Sequence, residues 1–573
     1  MTETTTQPAA RIIASLLTKH GIKDVVVSPG SRNVPLIIAI AREMGLKTYS
    51  VADERTAGFI ALGMSARKGH PVVLVCTSGT ALLNYTPAVA EAYYRNIPLI
   101  VISADRPAQW IDQDDSQTLH QSHALSGIVR QSFDVPSDYK YEDFEWYVNR
   151  IINQAFLVAT GIPRGPVHIN VHFDTPLGKT EPRAEHLSFF ETRAIRSVSP
   201  IAHMSRNDIQ SVSQELLDRK ILIVVGTHTP DARLTKALKI IANNPNITIV
   251  SEVQSNIPGV KSITLADLIL ATVSDDEGRN LVPDYLFTIG ASVVSKNLKQ
   301  WLRNARGYRH WYLGKMRSGE LVDCYQHLTD IIDVDVPSFL SSVAGFLRRY
   351  GKTHSDYASR WQQAQEKVKR VMERYIEMCE WSDLKAIYHL VSYLPGYVNL
   401  QLSNGMTVRY AQLSPYRHVH RVDSNRGCSG IDGSTSTAVG AAIDFSRPTV
   451  LITGDMSARY DLGGLAEASL APNLVIFVLN NSGGDIFRII NQTRTLPELE
   501  SLIALNRDMT FSQYAGAFGL DYRYIDNIIA LKQVCCSIKE PRHKPLLCEI
   551  DTRSADNSEI YRKLFNLLKD RNI

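Results

Sequence analysis

The chain has 573 residues, 44% hydrophobic and 21% charged, ordinary proportions for a soluble globular protein with several buried cores. At roughly 150 residues per domain, that length corresponds to three or four domains and excludes a small disulfide-stapled module. With 62 basic and 58 acidic residues the net charge is only +4, too small for this length to imply nucleic-acid or membrane binding, so any functional positive charge must be local.

The opening segment MTETTTQPAARIIASLL lacks the basic start and long apolar core of a signal peptide. LVIFVL (474–479) is among the longest apolar runs, far short of the roughly 20 residues that span a bilayer. Cys76, Cys324, Cys379, Cys428, Cys535, Cys536 and Cys548 form an odd set with no C-x-x-C, which reads as reduced thiols with neither a disulfide framework nor a zinc site. A cytoplasmic chain without stable membrane association is expected.

In chain order, short runs rich in Val, Ile and Leu recur: DVVVSPG (24–30), PVVLVCTSG (71–79), PLIVISA (98–104), PVHINV (166–171), ILIVVG (221–226), ITIVSE (247–252), YLFTIG (285–290), TVLITGD (449–455) and NLVIFVLNN (473–481). Apolar on both faces and separated by amphipathic stretches, they predict parallel strands under crossover helices, an α/β fold of doubly wound parallel sheets. Ligands in such folds bind beyond the carboxyl ends of strands, where this sequence places Gly, Ser, Asp and Asn. A polar, proline-containing stretch follows HFDTPLGKTEPRAEH (172–186), and a charged helical stretch, YASRWQQAQEKVKRVMERYIEMC, ends at Cys379 before strands resume near Val398. Three domains are expected, at 1–185, 186–375 and 376–573.

The most informative segment is TGDMSARYDLGGLAEASLAPNLVIFVLNNSGGDIF (453–487). Gly454-Asp455 closes one predicted strand and Asn480-Asn481 the next, with one helix between, so a βαβ unit brings Asp455 and Asn481 together across 26 positions. A carboxylate oxygen, an amide oxygen and a carbonyl at Gly483 are hard ligands of the kind Mg²⁺ prefers, leaving room for diphosphate oxygens. Gly454, Ser457 and the turn at Gly483-Gly484 would offer N–H and hydroxyl donors to those phosphates. The plainer alternative is that Asp455 caps a helix and the asparagines form a turn. The segment resembles the diphosphate and metal motif of thiamine-diphosphate enzymes, which implies that cofactor with Mg²⁺ or Mn²⁺. It also demands a glutamate at N1′ of the aminopyrimidine, for which ADERTAGFIALGMSARKGH (52–70) offers Glu54 ahead of Ala57, Gly58, Ala61, Gly63 and Ala66. By itself Glu54 would be a first-turn acid complementing a helix dipole.

Islands along nearly the whole chain narrow the resemblance: SPGSRNVPL (28–36), TSGTALLNYTPAVAEA (77–92), SADRPAQWID (103–112), SNRGCSGIDGSTSTAVG (424–440) and GDMSARYDL (454–462). Together they look like the 2-succinyl-5-enolpyruvyl-6-hydroxy-3-cyclohexene-1-carboxylate synthases of menaquinone biosynthesis. That resemblance implies decarboxylation of 2-oxoglutarate and 1,4-addition of the succinyl carbanion equivalent to isochorismate. It implies Glu54 as catalytic proton relay, cofactor contacts from Thr80, Met406, Gly430, Ile431 and Ile486, and an apolar wedge role for Ile431, for which core packing is the alternative. Substrate contacts would be Ser31, Arg32, Arg106, Gln117, Lys296, Arg409, Arg426 and Phe487, the arginines suiting carboxylates through paired N–H donors. Asn33 and Ser116 depart from the common pattern. A homodimer with active sites at the subunit interface, paired into a homotetramer, is implied. The middle domain has no G-x-G-x-x-G, so no NAD or FAD is expected. Two rival readings stay open: another thiamine-diphosphate 2-oxo acid decarboxylase or carboligase, and a non-catalytic metabolite-binding paralogue.

Overall fold

A computed structural model describes residues 3–137, 142–182, 191–198, 202–315, 321–351, 355–415, 419–505 and 508–569. The N-terminal strands are β1 (Glu3–Thr5), β2 (Asp24–Val27), β3 (Lys47–Ser50), β4 (Val72–Cys76), β5 (Leu99–Asp105), β6 (Ser132–Val135), β7 (Val167–His172) and β8 (Thr180–Pro182). β1 and β8 pair antiparallel, while the others form a parallel sheet in the order β3-β2-β4-β5-β7-β6. A second parallel sheet joins β9 (Ile221–Val225), β10 (Ile247–Ser251), β11 (Tyr285–Ile289), β12 (Arg309–Leu313) and β13 (Leu328–Ile332) in the order β10-β9-β11-β12-β13. A third is built from β14 (Asn399–Leu402), β15 (Arg421–Ser424), β16 (Thr449–Gly454), β17 (Leu474–Asn480), β18 (Asp521–Ile525) and β19 (Leu546–Asp551), ordered β15-β14-β16-β17-β19-β18. The α/β class therefore holds, with three parallel sheets flanked by helices. The central strands β4, β9 and β17 are buried at every residue, because helices cover both faces. Edge strands such as β3 (KTYS) and β18 (DYRYI) are half-solvated and polar, so apolar runs do not announce them.

In the first and third sheets the winding reverses beside the first strand of the series. The switch points lie between β2 and β4 and between β14 and β16, where α/β sheets open a crevice beyond the carboxyl ends. The residues after β2 and β4 are Ser28–Arg32 and Thr77–Thr80, and those after β14 and β16 are Ser403–Met406 and Asp455. At the corresponding place in the middle sheet the loops touch: a Cβ on Gly226 would lie 1.6 Å from the Ala291 carbonyl oxygen.

By contacts the chain forms two compact units, one of Met1–Ser199, Asn425–Phe445 and Ser457–Leu474, the other of Pro200–Ser424, Ser446–Met456 and Val475–Ile573. In the first, the helix Glu54–Lys68 packs backbone to backbone on the helix Ser434–Ala442. A Cβ on Gly63 would lie 2.0 Å from the Thr437 carbonyl oxygen, and one on Gly440 1.9 Å from that of Ile60. Gly440→Ala is expected to destabilise the protein by about 1–3 kcal/mol through overpacking, read as a lower thermal midpoint. An unchanged midpoint would mean the helices can separate at no cost. All seven cysteines are free thiols, and no described helix is long and apolar enough to cross a membrane.

Candidate active site

In the first unit, Glu54 begins its helix and is half-buried. The N-cap is Asp53, whose Oδ1 accepts from the backbone N–H groups of Arg55 (2.9 Å) and Thr56 (3.3 Å). The capping task is thus filled by a neighbour, and the Glu54 carboxylate is not needed for it. At the β2 switch point, Ser31 is exposed and Arg32 lies against Phe173, donating to its carbonyl at 3.1 Å, while the Arg32 backbone N–H meets Thr77 Oγ1 at 3.3 Å. Burial, followed by the neighbouring Arg106 charge, lowers the Arg32 pKa. The carboxylates of Asp115, Asp174 and Asp105 act on Arg32 in the opposite sense.

Arg106 donates to the Ser116 carbonyl through Nε (3.0 Å) and Nη2 (2.8 Å) and pairs with Asp115 at 2.7 Å, so Ser116 holds the arginine through its backbone. Gln117, at φ +54°, brings its backbone beside Gly79, ahead of the exposed Thr80. A buried polar chain links these pieces. The Gly79 N–H donates to Gln121 Oε1 (2.7 Å), Gln121 Nε2 to Asn170 Oδ1 (2.8 Å), Asn170 Nδ2 to Asp105 Oδ2 (2.9 Å), and the Arg106 N–H to Asp105 Oδ1 (2.8 Å). Ser31, Arg32, Thr80, Arg106 and Gln117 therefore all lie beyond the carboxyl ends of β2, β4 and β5. The supporting Gln121 and Asn170 carry no sequence motif, and Asp105 stands in SADRP without being singled out there.

The loop 424–433 also belongs largely to this unit. Ile431 is 41% exposed, so it is not core packing; its backbone carbonyl accepts from Ser457 Oγ at 2.6 Å. Gly430 sits against the Asp432 side chain, and Gly433, at φ +68°, lies flat on the Phe59 ring, where a Cβ would come within 2.2 Å. An exposed apolar side chain anchored by its own backbone suits a wedge facing a ligand.

In the second unit, Asp455 follows β16, 4% exposed, with Oδ1 accepting from the Met456 N–H at 2.7 Å, while Gly454 N–H reaches Ser403 Oγ at 3.4 Å. Asn481 Oδ1 accepts from the Gly483 N–H (3.2 Å), and its Nδ2 donates to Asp383 Oδ2 (2.7 Å). Asp383 is buried, and its other oxygen accepts from Thr552 Oγ1 at 2.6 Å. A carboxylate that takes the amide N–H₂ leaves Oδ1 as the face of Asn481 turned away from it. Burial, then the nearby Asp485 charge, pushes the Asp383 pKa up to about 7.

Among the described residues no group of three His, Cys, Asp or Glu side chains could hold a metal on its own. Of the three oxygen groups that the motif offers to a hard cation, Asp455 and the Asn481 amide each keep acceptor capacity beyond one N–H bond, whereas the Gly483 carbonyl already accepts from the Asp485 N–H at 2.8 Å. Gly484 N–H bonds the Ala504 carbonyl at 2.9 Å, and Phe487 packs over Gly484.

Met406, Ile486, Lys296 and Arg409 line one cleft of about 840 Å³. Lys296 is exposed at the first position of the helix Lys296–Asn304. The same cleft contains Arg494, Arg562 and Lys569, which the sequence reading missed, against the single acid Asp267. These three lie in a turn and in the C-terminal helix Asn557–Lys569, where basic residues ordinarily read as solvated surface.

The N-terminal TPP binding domain of thiamine pyrophosphate enzymes matches residues 8–125, and the thiamine pyrophosphate middle domain matches residues 197–402. A 2-succinyl-5-enolpyruvyl-6-hydroxy-3-cyclohexene-1-carboxylate synthase of Cytophaga hutchinsonii is 36% identical, covering 96% of this chain and 97% of its own. The chain belongs to this synthase family. Synthases of the same name from Porphyromonas gingivalis (35% identical, 97% and 96% covered) and Bacteroides thetaiotaomicron (34%, 98% and 98%) match along nearly the whole length as well. As a family member the chain is a thiamine-diphosphate-dependent transferase.

Proposed function

We propose that this synthase decarboxylates 2-oxoglutarate and joins the remaining four-carbon unit to isochorismate by 1,4-addition, releasing CO₂ on the route to menaquinone. The observation that carries the reading is the set of cations beyond strand ends, Arg32 after β2 and Arg106 after β5 in one unit, and Lys296 with Arg409 in one cleft of the other. Two dicarboxylate substrates need such a set. Bound thiamine diphosphate supplies a nucleophilic C2 and an electron sink for the decarboxylation.

The chain's residues do the rest. Asp455, Asn481 and the Gly483 carbonyl would hold Mg²⁺ or Mn²⁺ against the diphosphate, with Gly454, Ser457 and Gly484 around it. Thr80, Met406, Gly430, Ile431 and Ile486 would shape the cofactor pocket, and Glu54 would hold a proton at N1′ of the aminopyrimidine. Ser31, Gln117, Arg426 and Phe487 would complete the substrate site, Phe487 with Ile486 helping to exclude water. We place the domain boundaries at 185/186 and 375/376, and the working unit in the cytoplasm as a homodimer with active sites between subunits, two dimers forming a tetramer.

The deciding assay mixes protein, thiamine diphosphate, Mg²⁺, 2-oxoglutarate and isochorismate, and follows isochorismate loss with CO₂ release. Turnover of pyruvate but not of this pair would overturn the proposal. Arg426→Ala is expected to raise the KM for a dicarboxylate substrate, 2-oxoglutarate or isochorismate, about 10- to 100-fold, the worth of one or two charge-assisted hydrogen bonds, with cofactor affinity little changed. The opposite pattern in a cofactor titration would move Arg426 out of the substrate site.

A further inference from the structure

We propose that Glu91, on the helix Thr86–Arg95, is a positioning residue for substrate recognition: its carboxylate sets the backbone on which Arg426 stands. The inference rests on the reading of Arg426 as a substrate contact. Glu91 is 2% exposed, and both its oxygens are used, Oε1 accepting from the Gly427 N–H at 2.8 Å and Oε2 from the Cys428 N–H at 2.7 Å. One turn along, Arg95 Nε lies 3.8 Å from Glu91 Oε1, and Arg95 Nη1 donates to Asn425 Oδ1 at 3.2 Å. Asn425 Nδ2 in turn donates to Thr437 Oγ1 at 3.0 Å. The residues flanking Arg426 are therefore held on both sides, by Arg95 and Thr437 before it and by Glu91 after it.

The fit is close. A Cβ on Gly427 would lie 2.8 Å from the Glu91 carbonyl oxygen and 3.0 Å from Oε2, so the loop rests directly on the helix. Burying a carboxylate is costly unless it is hydrogen-bonded, and two successive charge-assisted N–H bonds offset that cost only in this loop geometry. Beyond the clamp, Ser429 at φ +65° turns the chain toward Gly430 and Ile431. Glu91 therefore acts through the loop, fixing the backbone that carries the Arg426 side chain. A displacement of about 1 Å in such a group can cost about 100-fold in rate.

The test is a double-mutant cycle on the full-length holoenzyme. Glu91→Gln keeps the shape but leaves one acceptor oxygen for two N–H donors. It should raise the KM for the substrate that Arg426→Ala affects about 10-fold, within the cost of mispositioning, and leave the thiamine diphosphate affinity within about twofold. In an Arg426→Ala background the same change should add nothing to KM, because nothing remains to be aimed. A normal KM for Glu91→Gln, or an equal rise in both backgrounds, overturns the inference while leaving Arg426 in place. An unchanged KM for Arg426→Ala alone removes the reading and the inference together. Arg95→Gln, which loosens Asn425 from the same loop, is assayed in parallel for the same non-additivity, so a folding defect in the Glu91 variant does not remove the test.

Discussion

Glu54→Ala should lower kcat by about 10²- to 10⁴-fold, the usual worth of a positioned proton-transfer group, while thiamine diphosphate still binds. The structure makes this a clean experiment. Asp53 caps the helix through Arg55 and Thr56, and the helix is buried from Thr56 through Ser65, so neither the cap nor the packing depends on the Glu54 carboxylate. The variant should fold with a stability loss of about 1 kcal/mol or less, the worth of a first-turn acid at a helix N-terminus. Glu54→Gln should lose about as much activity, because an amide fills the same space without an acidic proton to give. Single-turnover CO₂ release alongside a cofactor titration distinguishes the outcomes. Near-normal turnover in either variant would exclude the proton relay, and loss of cofactor binding would make Glu54 a binding group instead.

Asp455→Ala should fail at the other end of the cofactor. Its carboxylate lies just beyond β16, nearly buried, with one oxygen occupied by the Met456 N–H. Removing the carboxylate proposed for the metal should weaken Mg²⁺-dependent thiamine diphosphate binding by more than about 100-fold, since even outer-shell changes cost 10- to 100-fold. Titrations with and without Mg²⁺ should converge in the variant, and an unchanged Mg²⁺ dependence would take Asp455 out of the metal site. Together with Glu54→Ala, the two variants separate a chemical defect from a binding defect.

The motifs were legible because each sits at the end of a strand that its own residues announce. TVLITGD and NLVIFVLNN are apolar on both faces, and in the structure they are β16 and β17, ending at Gly454 and Asn480. SPGSR and TSGT likewise follow β2 and β4, and the strand order makes those two ends a switch point. The role of Ile431 was not legible, because an apolar residue in a Gly-rich loop can pack in a core or face a ligand. Its exposure in the structure places it outside the cores of the chain.

Supporting residues were hidden for a different reason. Asp383 in WSDLKAI reads as a first-turn helix acid, yet it reaches Asn481, 98 positions away. Glu91 stands in TSGTALLNYTPAVAEA with nothing in the sequence to name its partner, yet it clamps a loop 336 positions on. Arg494 and Arg562 read as surface charge, yet they share a cleft with Lys296 and Arg409.

The sequence by itself determined the α/β class, the cofactor motif and the family, because those depend on local periodicity and on short motifs at strand ends. Only the tertiary structure decided which buried acids orient the motif residues and which cations share a cleft. A carboxylate or guanidinium in the chain carries no mark of its partner; burial removes water and leaves the distant N–H or carboxylate brought to it by packing as the group that satisfies it.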